Sequence, residues 1–140
     1  MKKIFLALIL AFTTLCSAGI TTSAYNNNYV NEISPYYLYT YQAKSTLEIS
    51  GKSATCKSSL TGMTSVTKIS ATQYLEKKNG TKWETISGGT WSDSVNSSSL
   101  TMSNSKSNLS SGTYRLRTVF TVYSGTSYET VEKTSTEVAI

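Results

Sequence analysis

Histidine is absent from this 140-residue chain, and aspartate (Asp93) and proline (Pro35) each occur once. These scarcities close off most catalytic chemistry. Without imidazole there is no Ser-His-Asp triad, no Cys-His nucleophile and no His-ligated zinc. A calcium site needs several clustered carboxylates, and the first acidic residues on either side of Asp93 along the chain are Glu84 and Glu129. No metal or cofactor is expected. Helix signals are equally scarce: no window carries an i, i+3, i+4, i+7 apolar stripe of any length. The seven Glu leave a two-carboxylate glycosidase site formally open. Most of them, however, alternate with apolar or Thr residues, as on the solvated face of a sheet. There is no Gly-x-Ser-x-Gly elbow. The Ser65-x-x-Lys68 and Ser103-x-x-Lys106 spacings fall in strand or loop segments, away from the helix start where such a pair converges. A non-enzymatic protein is expected.

The chain opens with a positive Lys2-Lys3, followed by an apolar run from Ile4 to Phe12 that is too short to span a bilayer. Small residues suited to signal peptidase stand at Thr22-Ser23-Ala24, with a second possible cut after Cys16-Ser17-Ala18. Residues 1–24 therefore read as a signal peptide, and a secreted protein of 116 residues starting near Tyr25 is expected. No second run of membrane-spanning length and no C-terminal sorting signal follows. Cys16 leaves with the signal, so Cys56 stands alone and no intrachain disulfide can form. The remaining eleven basic and eight acidic residues give a net charge of +3, scattered along the chain with only Lys77-Lys78 adjacent. A nucleic-acid footprint would be denser, so no nucleic-acid partner is expected.

About one third of the secreted part is Ser or Thr, arranged in short alternating segments with turn signals every 8 to 12 residues or so, an all-β pattern. Residues 25–35 form a polar leader and 36–140 the domain. Strands are predicted at Thr46–Ser50, Ser53–Leu60, Val66–Lys77, Thr81–Ile86, Leu100–Met102, Tyr114–Tyr123 and Ser127–Lys133. Asn79-Gly80 supplies a type I′ hairpin signal, and Ser87-Gly88-Gly89 breaks the return strand. The Ser-rich stretch from Ser92 to Ser111 reads as strand plus loop, with Leu100, Met102 and Leu109 at buriable positions. Those few apolar residues are too sparse for a pore-forming hairpin.

One segment carries a family pattern. Leu100-Thr101-Met102, then Ser110-Ser111-Gly112-Thr113-Tyr114-Arg115-Leu116, resembles the E–F region of immunoglobulin-like domains. Gly112 and Tyr114 match. Ser110 replaces the family's Asp, and Leu116 its second Cys. Ala54-Thr55-Cys56 sits where the first Cys belongs, and Ile69 fills the slot of the core Trp. The resemblance implies a single immunoglobulin-like, Greek-key β-sandwich without a disulfide. It also implies a corner hydrogen bond from Tyr114 to nearby upstream backbone and a core of Cys56, Ile69, Tyr114 and Leu116. The Trp83 and Gly112-x-Tyr114 regions also resemble small exported proteins of clostridia-type Gram-positive bacteria. Those proteins have no assigned function, so this likeness bears on location and fold only.

Alternation then assigns faces. With Leu116 inward, Arg115, Arg117 and Tyr123 face out. With Ile69, Ala71 and Leu75 inward, Tyr74 and Glu76 face out. A hairpin centred on Asn79-Gly80 sets Glu76 opposite Trp83, which places Trp83 outside. Tyr74, Trp83, Arg115, Arg117 and Tyr123 thus form a candidate binding face, aromatics with Arg being the stuff of interface hot spots. The same residues can equally form a self-contained aromatic–cation stack. Six of the ten Tyr lie between Tyr25 and Tyr41, and Tyr37, Tyr39 and Tyr41 make a second candidate stripe. That stripe suits a ligand, a first strand packed on the domain edge, or an arm pairing with another chain. The expected function is an exported binding module for an extracellular protein or glycan. The alternative is a structural or assembly subunit that self-associates through edge strands or the Tyr-rich arm.

Overall fold

A computed structural model describes residues 36–140. The expected signal peptide, its cut sites, Cys16 and the expected polar leader lie outside the described residues. Eight strands follow in order: β1 (Thr40–Ser50), β2 (Ser53–Gly62), β3 (Lys68–Asn79), β4 (Lys82–Val95), β5 (Ser99–Lys106), β6 (Thr113–Ser124), β7 (Ser127–Thr134) and β8 (Val138–Ala139). All pairings are antiparallel. One sheet has the order β1-β2-β5, the other β4-β3-β6-β7, with β8 pairing β6 beyond the end of β7. This is an all-β, sandwich-like arrangement of two sheets.

The three hairpins close the same way. Ser50↔Ser53, Asn79↔Lys82 and Ser124↔Ser127 each bracket two residues, the first of which is Gly51, Gly80 or Gly125 at φ near +60°. A β-carbon on any of the three would meet nothing within 4 Å, so it is the φ angle, not space, that selects Gly. A turn with positive φ at its first central position only is of the II′ kind. This corrects the predicted register: the central pair is Gly80-Thr81, not Asn79-Gly80, and Trp83 opposes Lys78 while Glu76 opposes Thr85. The slip is two residues, so Trp83 keeps its predicted face. Glu84 moves from beside Leu75 to opposite Lys77.

Ser87-Gly88-Gly89 does not end the return strand either. β4 bulges between Thr85 and Thr90, with Gly88 at φ +67°, and resumes its pairing as far as Val95. The bulge changes the strand's parity and sets Trp91 opposite the buried Gln73.

Inward side chains of both sheets form two apolar clusters. One contains Leu60, Ile69, Leu100, Met102, Phe120, Val122 and Val131; the other contains Leu47, Cys56, Leu75, Leu109, Tyr114 and Leu116. Trp91 packs on both. A polar belt also joins the sheets. Asn104 Nδ2 donates to Gln73 Oε1 (2.8 Å), and Gln73 Nε2 to Ser58 Oγ (2.7 Å). Ser58 Oγ pairs with Thr118 Oγ1 (2.7 Å), which pairs with Ser45 Oγ (3.0 Å). Gln73 and Thr118 are fully buried, yet among the described residues no buried side-chain polar atom lacks a partner. The belt therefore joins the sheets without a desolvation penalty left unmet.

Cys56 is a fully buried free thiol, and burial pushes its pKa up to about 11. Tyr114 Oη donates to the carbonyl of Ser110 at 2.7 Å.

Candidate functional site

The outer face of β4, β3 and β6 carries an ordered stack. Register places Tyr74 directly opposite Arg117, and Glu76 opposite Arg115. Glu76 lies on this outer face but is only 4% exposed, because its neighbours close over it. Its Oε2 accepts from Arg115 Nε and its Oε1 from Arg117 Nε, both at 2.7 Å. Charge-assisted bonds of this length hold both guanidiniums in place. Each then lies over an aromatic ring: Arg117 Cζ is 4.3 Å from the Tyr74 centroid, and Arg115 Cζ is 4.4 Å from that of Trp83. The order across the face is Tyr74, Arg117, Glu76, Arg115, Trp83.

The hydrogen bond that Arg117 donates to Glu76 is the main reason its pKa stands above the ordinary value, against a smaller opposing effect of burial. At the rim, Arg117 Nη1 reaches Glu132 at 3.4 Å. Lys78 lies 5.4 Å from the Trp83 ring and pairs with Glu137 at 3.4 Å. Glu76 spends its oxygens on the two Nε groups and Glu132 takes Arg117 Nη1, while both Arg side chains stay a quarter exposed. The result is an ordered surface of rings and guanidinium groups whose charge is balanced by Glu76 and Glu132.

Four of the five predicted residues, Tyr74, Trp83, Arg115 and Arg117, meet in this stack. Tyr123 does not. It sits six residues further along β6, about 20 Å away at strand rise, stacked against Tyr128 (5.9 Å between centroids) with Lys68 over its ring. Glu76, the residue that organises the stack, was read from sequence only as facing outward. Its signal was register, since a carboxylate beside two Arg at alternate positions of the neighbouring strand will bridge them.

The Tyr37, Tyr39, Tyr41 stripe is divided. Tyr37 and Tyr39 pack against the apolar core, with Lys133 over the Tyr37 ring. A bulge between Thr40 and Gln42 leaves Tyr41 80% exposed. Glu129 on β7 fastens this segment by accepting from Leu38 N (2.7 Å), Tyr39 N (3.0 Å) and Thr40 Oγ1 (2.7 Å). Tyr36, Leu38 and Tyr41 remain at the surface.

Among the described residues, no group of His, Cys, Asp or Glu is placed to hold a metal ion, and no helix is long and apolar enough to cross a membrane. Comparison of the chain with protein-family models, curated proteins and solved structures finds no match.

Proposed function

We propose that this is an exported, non-enzymatic binding module that recognises an extracellular protein or glycan through the outer face of β4, β3 and β6. The observation that carries the reading is the preformed stack from Tyr74 to Trp83. Ordering long Arg side chains on binding costs affinity, and here Glu76 and the rings have already ordered them. Rigid aromatics flanking guanidinium edges are the composition of interface hot spots. An immunoglobulin-like Greek-key topology is part of the proposal. Its support is the strand order β1-β2-β5 against β4-β3-β6-β7 and the corner bond from Tyr114 to Ser110. Export rests on the leader read in the sequence. The test is a glycan array together with capture from extracellular extracts, run on the wild type and on Trp83→Ala/Arg117→Ala. A ligand held only by the wild type supports this face; a ligand held equally by both removes it.

One observation favours a second reading, self-association. Tyr36, Leu38 and Tyr41 present exposed apolar surface where the chain enters the edge strand β1. A concentration series in size-exclusion chromatography separates the two. An assembly subunit shifts to larger species with concentration, while a binding module elutes unchanged.

A further inference from the structure

The inner faces of the sheets are apolar or belt-forming until one end of the sandwich, where both finish in lysine. On β3 the inward positions run Ile69, Ala71, Gln73, Leu75 and then Lys77. On β5 they run Leu100, Met102, Asn104 and then Lys106. Both lysines are half-buried. They converge on one concavity of about 410 Å³, lined also by Ser87, Ser110, Leu109 and Tyr114.

Lys77 Nζ donates to Ser110 Oγ at 2.8 Å and lies 5.6 Å from the Tyr114 ring centre. Lys106 Nζ lies over Gly88 in the β4 bulge, where a β-carbon would come within 2.9 Å of it. The bulge glycine thus makes room for an ammonium group. Among the described residues, neither lysine has a carboxylate within ion-pair distance, whereas Lys78, Arg115 and Arg117 all do. Glu84, opposite Lys77 in register, instead accepts from Asn79 Nδ2 with both oxygens at 3.2 Å. Two half-buried ammonium groups lining one hydroxyl-rich concavity, neither in an ion pair with a carboxylate, favour a bound anion.

We propose that this mouth binds a phosphate or sulfate group. The two ammonium groups neutralise it as point charges, the Ser87 and Ser110 hydroxyls donate to its oxygens, and the apolar floor of Leu109 and Tyr114 accepts the body that carries it. The site is independent of the Glu76 stack, because Lys77 and Glu76 are consecutive on β3 and point to opposite faces.

The test is an amide-resolved NMR titration of the chain with inorganic phosphate and with glucose 6-phosphate, at constant ionic strength against chloride. Saturable shifts confined to Ser87, Gly88 and residues 107–110 are expected with phosphate. Lys106→Gln, at an unchanged melting temperature, should raise Kd by about tenfold or more, the weight of one charge-assisted contact. Lys77→Gln should do the same. Lys57→Gln, on the outer face of β2, should leave Kd unchanged. Tighter binding of glucose 6-phosphate identifies a phosphorylated sugar as the carrier, and equal binding identifies the free oxyanion; both support the site. Shifts that fail to saturate, shifts spread over all exposed lysines, or an unchanged Kd in Lys106→Gln overturn it.

Discussion

Gln73 and Tyr74 are neighbours on β3, as Arg117 and Thr118 are on β6, yet alternate residues of these two strands build networks of opposite character. The inner network, from Ser45 through Thr118, Ser58 and Gln73 to Asn104, is sealed between the sheets with its polar atoms paired to one another. The outer network, from Tyr74 to Trp83, is held by Glu76 at both Nε groups and by Glu132 at Arg117 Nη1, and it keeps rings and quarter-exposed Arg side chains at the surface. A sealed network has nothing to offer a partner and serves to align the sheets. A partly exposed one is what the proposed partner would meet. The contrast predicts that inward substitutions cost stability and outward ones cost binding.

The largest expected loss is at Tyr114, which fills the second apolar cluster and ties the turn at Ser110. Tyr114→Ala should lose about 3–5 kcal/mol in denaturant melts, and Tyr114→Phe about 1 kcal/mol, the net worth of one hydrogen bond. Next is Gln73→Ala, at about 3 kcal/mol, because it opens a cavity and strips partners from Asn104 and Ser58. An equal loss from Tyr74→Ala would erase the distinction between the two faces. Glu76→Ala sits between the networks in consequence. It leaves Arg115 unpaired and Arg117 with Glu132 alone, but their quarter-exposed side chains can turn to water, so about 2 kcal/mol is expected, less than for a fully buried pair.

Cys56 sharpens the inner side of the comparison. Thiol reagents should label it only after unfolding. Its pKa rises to about 11 in the fold from an ordinary value near 9.0. The unfolded state therefore releases the proton first, and the stability linked to this thiol is whole below pH 9 and lost as pH climbs towards 11. Melts of wild type and Cys56→Ala across that window should converge as the pH rises, and a constant gap would mean the thiol is not shielded.

Much of this was legible in the sequence, and the misses share a cause. Strict alternation on Tyr114–Tyr123 and Val66–Lys77 set the inward and outward faces, and Trp83 kept its face because the hairpin slipped by two residues, not one. Bulges were not legible. Gly88-Gly89 read as a break when it is a parity change within one strand, and Tyr41 read as part of a stripe that the bulge after Thr40 interrupts. Turn chemistry misled at Asn79-Gly80, because a II′-like turn needs only the glycine and leaves the Asn side chain free to bond Glu84. Tyr123 was grouped by face without regard to distance along the strand. Glu76 and Gln73 were polar residues whose meaning depended on which residues stand across from them, and that is set by register.

The rings of the outer face have the smallest expected effect on stability and the largest on binding. In Trp83→Ala/Arg117→Ala, the change at Trp83 should lower stability by less than about 1 kcal/mol, since only stacking is lost, and that at Arg117 by about 1.5 kcal/mol, since Glu76 loses one of its two guanidinium partners but keeps Arg115. The most direct measurement is therefore the paired one: the melting free energy of this double variant, and its affinity for whatever ligand the wild type retains from glycan arrays or extracellular extracts. A melting loss of no more than about 2.5 kcal/mol, with binding weakened by about 2 kcal/mol or more, is the expected result. Large destabilisation with ligand binding intact would contradict it, and would make the stack a structural staple.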